Sequence, residues 1–345
     1  MVSKPYSFKN DYSEGAHPAI LQALLDTNSE QEEGYGLDRH SLEAIRSIRK
    51  LTGDPRAEVH LISGGTQTNL IAVAAFLRPH EACITAETGH IATHETGAIE
   101  ATGHKLLTVV GKAGKLTPEL IRPALEEHHF EHMVLPRLVY ISNPTELGTV
   151  YSFDELSLLS RFCRDNNLLL YLDGARLGAA LMYKPAELSI ERLYTLTDAF
   201  FIGGTKNGAL LGEALVIRTE ALKRDFRYLL KQKGGLLAKG RVLGIQFEQL
   251  FKNNLYEELA AHANEMAQIL AKGLTAEGCS FLIDSPTNQI FPIMANKTIE
   301  TLLKQFDFYI WKKLNPEESA VRIVTSWTTT IEQVERLLAA YKEIH

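Results

Sequence analysis

Three short segments bring together residue types whose shared purpose would be chemical. Residues 63–69 read SGGTQTN, with glycines between an apolar run and a helical pattern. Free N–H groups and the helix dipole at such a junction favour an anion. The segment holds neither Gly-x-Gly-x-x-Gly nor Gly-Lys-Ser/Thr, so it is not a dinucleotide fingerprint or a Walker loop. Residues 171–176, YLDGAR, set Asp173 and Arg176 just past an apolar run, at the sheet edge where α/β proteins bind ligands. Residues 200–208, FFIGGTKNG, place Lys206 between glycines directly after another apolar run. A lysine with reduced solvation has a lowered amine pKa, which suits a Schiff-base nucleophile. Taken singly, these are a turn, a local ion pair and a loop lysine. Together they supply what pyridoxal phosphate needs: a phosphate site, a carboxylate for the ring nitrogen and a lysine for the aldehyde.

The surrounding pattern predicts the elements that position them. Apolar runs at 59–62, 138–141, 168–172, 199–202 and 214–217 predict buried strands. Helical periodicity falls before them at 42–51 and between them at 69–77 and 153–166, and Gly53 closes the first. Asp173 and Lys206 are separated by about one crossover unit between neighbouring parallel strands. Nearly continuous apolar strands between helices predict a mainly parallel sheet covered on both faces, an α/β fold. Beyond Gly234-Gly235 the pattern changes to a long helix at 255–274, strand-like segments at 289–294 and 320–324, and a final helix at 330–344. The expected division is an N-terminal arm and large domain over residues 1–245, and a small C-terminal α+β domain over 246–345.

Composition removes several functions. Thirty-six Lys and Arg against 42 Asp and Glu give a net charge of -6, with no basic excess for nucleic acid. No apolar run reaches the roughly 18 residues of a membrane helix, and MVSKPYSFKND carries no secretory apolar region. Cys83, Cys163 and Cys279 form no Cys-x-x-Cys pair and suit reduced thiols. The expectation is a cytoplasmic globular protein with no nucleic-acid partner, no membrane segment and no assigned metal ligand.

At these residues the chain resembles the low-specificity L-threonine aldolases, pyridoxal-phosphate enzymes grouped with the β-eliminating lyases. Its landmarks are Asn10-Asp11, Tyr35-Gly36 with Asp38, Gly65-Thr66 with Asn69, Gly89-His90-Ile91, Asp173 to Arg176, Thr205 to Gly208, and Val321 to Thr325. The resemblance implies the aspartate-aminotransferase-like (type I) fold, with a seven-stranded sheet in the large domain. It also implies a homodimer or homotetramer with sites at the subunit interface.

By that resemblance Lys206 holds the cofactor, Asp173 pairs with its ring nitrogen and Arg176 faces its phenolic oxygen. Gly65 and Thr66 bind the phosphate. His90 stacks on the ring, and His94 is left to the helix surface or to a supporting place. Arg322 holds the α-carboxylate of an amino-acid substrate, with Tyr35 and Asn10 as further substrate contacts. Tyr35 and one of Lys233, Lys239 and Arg241 are expected to act across the subunit interface.

The implied reaction is retro-aldol cleavage of an L-β-hydroxy-α-amino acid to glycine and an aldehyde. His90, Glu95 or a water is the base for the β-hydroxyl proton. Many family members carry a serine where Asn10 stands, and a histidine in the segment that reads SNPTE at 142–146. Threonine, allo-threonine and bulkier β-hydroxy amino acids therefore stay open as substrates. The rival readings are another reaction on the same cofactor (β-elimination, racemisation or transamination), or a non-catalytic scaffold of the same fold.

Overall fold

A computed structural model of the chain describes residues 5–344. Its strands in chain order begin with β1 (Tyr6–Ser7), β2 (Glu58–Ile62), β3 (Glu81–Ala86), β4 (Leu106–Val109) and β5 (Leu135–Ser142). Next come β6 (Leu169–Asp173), β7 (Ala199–Gly203) and β8 (Glu213–Ile217). The C-terminal strands are β9 (Ser280–Phe281), β10 (Gln289–Ile290), β11 (Pro292–Ala295), β12 (Phe306–Asp307), β13 (Tyr309–Lys313) and β14 (Glu318–Val324).

Seven strands form one sheet in the order β2-β8-β7-β6-β5-β3-β4. Strands β7, β6, β5, β3 and β4 run parallel, and β8 is antiparallel to both its neighbours. Strands β3, β6, β7 and β8 are buried at every residue, which is why they read as unbroken apolar runs rather than alternating ones. One core packs under helix Arg39–Thr52 and helix Phe153–Asp165, the other under helix Gly65–Phe76. Asp38 caps the N-terminus of the first helix through Ser41 N, and Gly53 closes it at φ 72°.

The C-terminal sheet has the order β10-β14-β11-β9, with β13 also on β14. The expected strand over 289–294 is two, because Pro292 has no N–H to donate and interrupts the ladder on β14. Helix Leu255–Ala276 and helix Ile331–Lys342 cover this sheet through Leu270, Leu274, Val334 and Leu337. The N-terminal segment joins the same core: β1 pairs with β12, and Phe8 is fully buried there. From Phe8 the chain passes into the cleft between the two sheets.

Candidate active site

The floor of the cleft is the carboxyl edge of β5, β6 and β7. Asp173 ends β6, opposite Ser142 of β5. Its Oδ2 accepts from Tyr140 Oη at 2.5 Å and Asn69 Nδ2 at 3.0 Å, and its Oδ1 accepts from Ala175 N at 2.9 Å. Asn69, on helix Gly65–Phe76, also donates to Glu95 at 2.9 Å and accepts from Tyr171 Oη at 3.0 Å. A buried carboxylate supplied with three donors is held in a fixed orientation.

Lys206 follows β7 in a loop that lies directly on the Asp173 loop. A Cβ on Gly174 would sit 1.9 Å from Phe201 O, and one on Gly203 would sit 2.4 Å from Ala175 O. Only glycine allows that approach, which is closed by Gly203 N donating to Gly174 O at 2.9 Å. Burial, then the Arg176 guanidinium, pull the Lys206 amine below its ordinary range, with Asp11 and Asp173 opposing. Tyr12 faces the amine, with its ring centroid 5.9 Å from Nζ.

Arg176 is held by both ends of a carboxylate. Its Nε donates to Asp11 Oδ2 at 2.6 Å and its Nη2 to Asp11 Oδ1 at 3.0 Å. Asp11 is buried and also accepts from Asn288 at 2.9 Å. Burial pushes its carboxyl up, but Arg176 and Lys206 outweigh it and hold the group below the usual range.

The opposite wall carries Arg322, from β14. Burial, then Arg176, lower its pKa, and no carboxylate among the described residues hydrogen-bonds it. Its Nη2 reaches Lys9 O at 3.4 Å, and its Nε is buried without a hydrogen-bond partner among the described residues.

His90 begins the short helix His90–Thr93. Its Nδ1 lies 2.9 Å from Glu95 Oε1, and its backbone N donates to Glu146 Oε1 at 2.9 Å. With Tyr12, Glu146, Lys206, Arg176 and Arg322, it lines a cleft of about 700 Å³. Gly64 and Gly65 open helix Gly65–Phe76, and a Cβ on either would meet nothing within 4 Å. The first N–H groups of a helix have no acceptor within it, so this end can offer them to an anion.

A family model described as beta-eliminating lyase matches residues 10–297. A low-specificity L-threonine aldolase of Pseudomonas aeruginosa is 34% identical, spanning 98% of this chain and 97% of its own. A solved threonine aldolase of Leishmania major is 50% identical with a TM-score of 0.97, covering 99% of each chain. The chain belongs to the β-eliminating lyase family, among the low-specificity threonine aldolases. A Thermus thermophilus aspartate aminotransferase variant covers 99% of this chain and 92% of its own at TM-score 0.73. At 15% identity it shows the shared aspartate-aminotransferase-like fold.

In this family member the structure lines one cleft with Lys206, Arg176, His90 and Arg322, while Asp173 ends β6 and is tied through Asn69 to the helix that Gly65 and Thr66 open. Asn10 does not join them: its Oδ1 accepts from Tyr12 N and Ser13 Oγ, each at 3.0 Å, and so closes a turn. Tyr35 lies in a separate recess with Arg227 and Gly240, and Lys231 Nζ sits 4.5 Å from its ring centroid. Arg241 is engaged within the chain by Thr27 O and Glu30 O, whereas Lys233 and Lys239 are exposed.

The structure corrects the expectation for His94. The helix ends at Thr93, and His94 turns into the cleft, its ring 5.6 Å from His90 and 6.4 Å from Trp311. Burial, then His90, Arg322 and Lys206, lower its pKa.

No motif in the sequence around Glu213 marks it for chemistry. It faces Gly203 across the β7–β8 ladder and accepts from Thr205 Oγ1 at 2.9 Å, and its Oε2 has no hydrogen-bond partner among the described residues. Burial raises its carboxyl to about 8, against Thr205 and Lys206.

Proposed function

We propose that this cleft holds pyridoxal phosphate at Lys206 and cleaves L-threonine and related L-β-hydroxy-α-amino acids to glycine and an aldehyde. The observation that carries this reading is Arg322, a largely buried guanidinium with no hydrogen-bonded acid among the described residues, in the same cleft as a desolvated lysine. The residues present fit the cofactor. Lys206 offers the amine, Asp173 a fixed carboxylate for the ring nitrogen, and the end of helix Gly65–Phe76 free N–H groups for the phosphate. When bound, pyridoxal phosphate supplies a sink for the electron pair released at Cα.

Each side chain then has a task. Arg322 takes the substrate carboxylate in its planar fork and so fixes how the Cα–Cβ bond is presented. Arg176, tied to Asp11, keeps a positive charge beside Lys206 and favours its neutral amine. Glu95 fixes the His90 ring at Nδ1, so that its other nitrogen is left for the cleft. His94, its pKa lowered first by burial and then by Arg322 and Lys206 among its neighbours, presents an imidazole that can accept the β-hydroxyl proton. Glu146 holds the backbone at His90 through its N–H.

The division at 245/246 would put Lys206 and Arg322 on separate bodies that meet at the cleft. Tyr35 and the basic segment 231–241 act on the cleft of a neighbouring subunit in a homodimer or homotetramer. The protein works in the cytoplasm on a small amino acid. Product analysis with L-threonine tests the reading: glycine and acetaldehyde in equal amounts are expected. Ammonia with a 2-oxo acid would instead show elimination, and no product with any β-hydroxy amino acid would leave a scaffold.

A further inference from the structure

We propose that Tyr309 and Trp311 are positioning residues that hold Arg322 ready for a carboxylate in place of an acidic partner. The inference rests on the reading of Arg322 as the anchor of the substrate carboxylate. Tyr309 pairs with Arg322 across the β13–β14 ladder, and the register then shifts between Ile310 and Lys312. Trp311 is the extra residue at that shift. A bulge re-aims a side chain that regular pairing would send elsewhere, and here it brings the indole to Arg322. The guanidinium carbon lies 5.3 Å from the Trp311 ring centroid and 5.4 Å from that of Tyr309. Behind the indole, fully buried Phe291 packs edge-on at 5.4 Å and 66°.

The chemistry of the arrangement is selective. An acid beside Arg322 would hold it in place but would compete with the substrate for the same N–H groups. Aromatic faces attract the cation through their quadrupole and use none of its N–H edge. The one hydrogen bond that Arg322 makes among the described residues, to Lys9 O, is long at 3.4 Å. Lys9 itself is taken up by Asp307 at 3.2 Å and by the Tyr309 ring at 4.9 Å, so it adds a carbonyl and no competing anion.

The test compares Trp311→Leu, which removes the quadrupole, with Trp311→Phe, which keeps one, in enzyme loaded with pyridoxal phosphate. Trp311→Leu is expected to raise KM for L-threonine about tenfold while kcat stays within about twofold. The dissociation constant for glycine, read by calorimetry, should rise by the same factor. Trp311→Phe should stay within about threefold of the natural chain. Unchanged KM and glycine affinity in Trp311→Leu, or equal damage from Phe and Leu, would overturn the proposal. Tyr309→Leu, at a half-exposed position, repeats the test should Trp311→Leu fold poorly. If the natural chain binds no glycine and cleaves no threonine, the carboxylate reading of Arg322 falls and this inference with it. A fully active natural chain with an indifferent Trp311→Leu removes the inference alone.

Discussion

Two arginines line one cleft and are held in opposite ways. Arg176 is clamped by the buried carboxylate of Asp11 through two short hydrogen bonds. Arg322 has aromatic faces and one long bond to a carbonyl. The first is a closed ion pair whose charge acts on Lys206 but whose donors at Nε and Nη2 are already used. The second keeps its fork open to an incoming carboxylate. Burial of an arginine therefore does not mark it as structural or functional; what decides is whether an acid has been built in beside it.

Lys206, the residue between the two, carries the largest expected effect. Lys206→Ala should lower turnover by about 10³-fold or more while the thermal midpoint stays within a few degrees. Near-normal steady-state turnover in that variant would break the comparison at its centre.

Asp11→Asn comes next and should act on stability. It leaves the Arg176 charge buried with a neutral partner, at a cost of about 3 kcal/mol in urea unfolding. A loss below about 1 kcal/mol would mean the pair is not the clamp described.

Arg322→Ala is expected to show the converse. It should cut kcat/KM for L-threonine about 10²-fold. Unfolding free energy should change by less than about 1 kcal/mol, since no acid is stranded. Large destabilisation with intact kcat/KM would make Arg322 the structural arginine of the two.

The smallest effect concerns pH. Glu213 is raised from 4.5 to about 8 by burial, with Thr205 and Lys206 opposing. Between those values the folded chain keeps a proton that the unfolded chain has lost. The stability it contributes is thus full below the lower value and lost as pH rises through the upper one. Thermal midpoints should fall from about pH 5 to about pH 8, and Glu213→Gln should flatten that slope. Parallel curves for the two proteins would contradict the assignment.

Much of the fold was legible because β6, β7 and β8 are buried on both faces and so appear as unbroken apolar runs. The chemistry at their ends was equally visible, since Asp173, Arg176 and Lys206 stand within a few residues of those runs. What stayed hidden depends on distance along the chain or on irregular pairing. Asp11 meets Arg176 from 165 residues away, and nothing local in either segment announces the pair. Strand β13 is mostly exposed and ends in two lysines, so it shows no apolar run, and the bulge at Trp311 has no sequence signature. His94 was readable in part: four residues after His90, it falls on the same helical face. The helix ends just there, and that turns His94 into the cleft. Glu213 lies at the start of an apolar strand, where a carboxylate gains meaning only from the Thr205 loop above it.

The most direct test is chemical trapping at Lys206. The natural chain would be loaded with pyridoxal phosphate, reduced with sodium borohydride, digested and mapped by mass spectrometry. We expect one pyridoxyl group, on Lys206, and its absence when L-threonine is added in excess before reduction, because the substrate amine then displaces the lysine. Labelling at another lysine, or none at any, would contradict the assignment of this cleft.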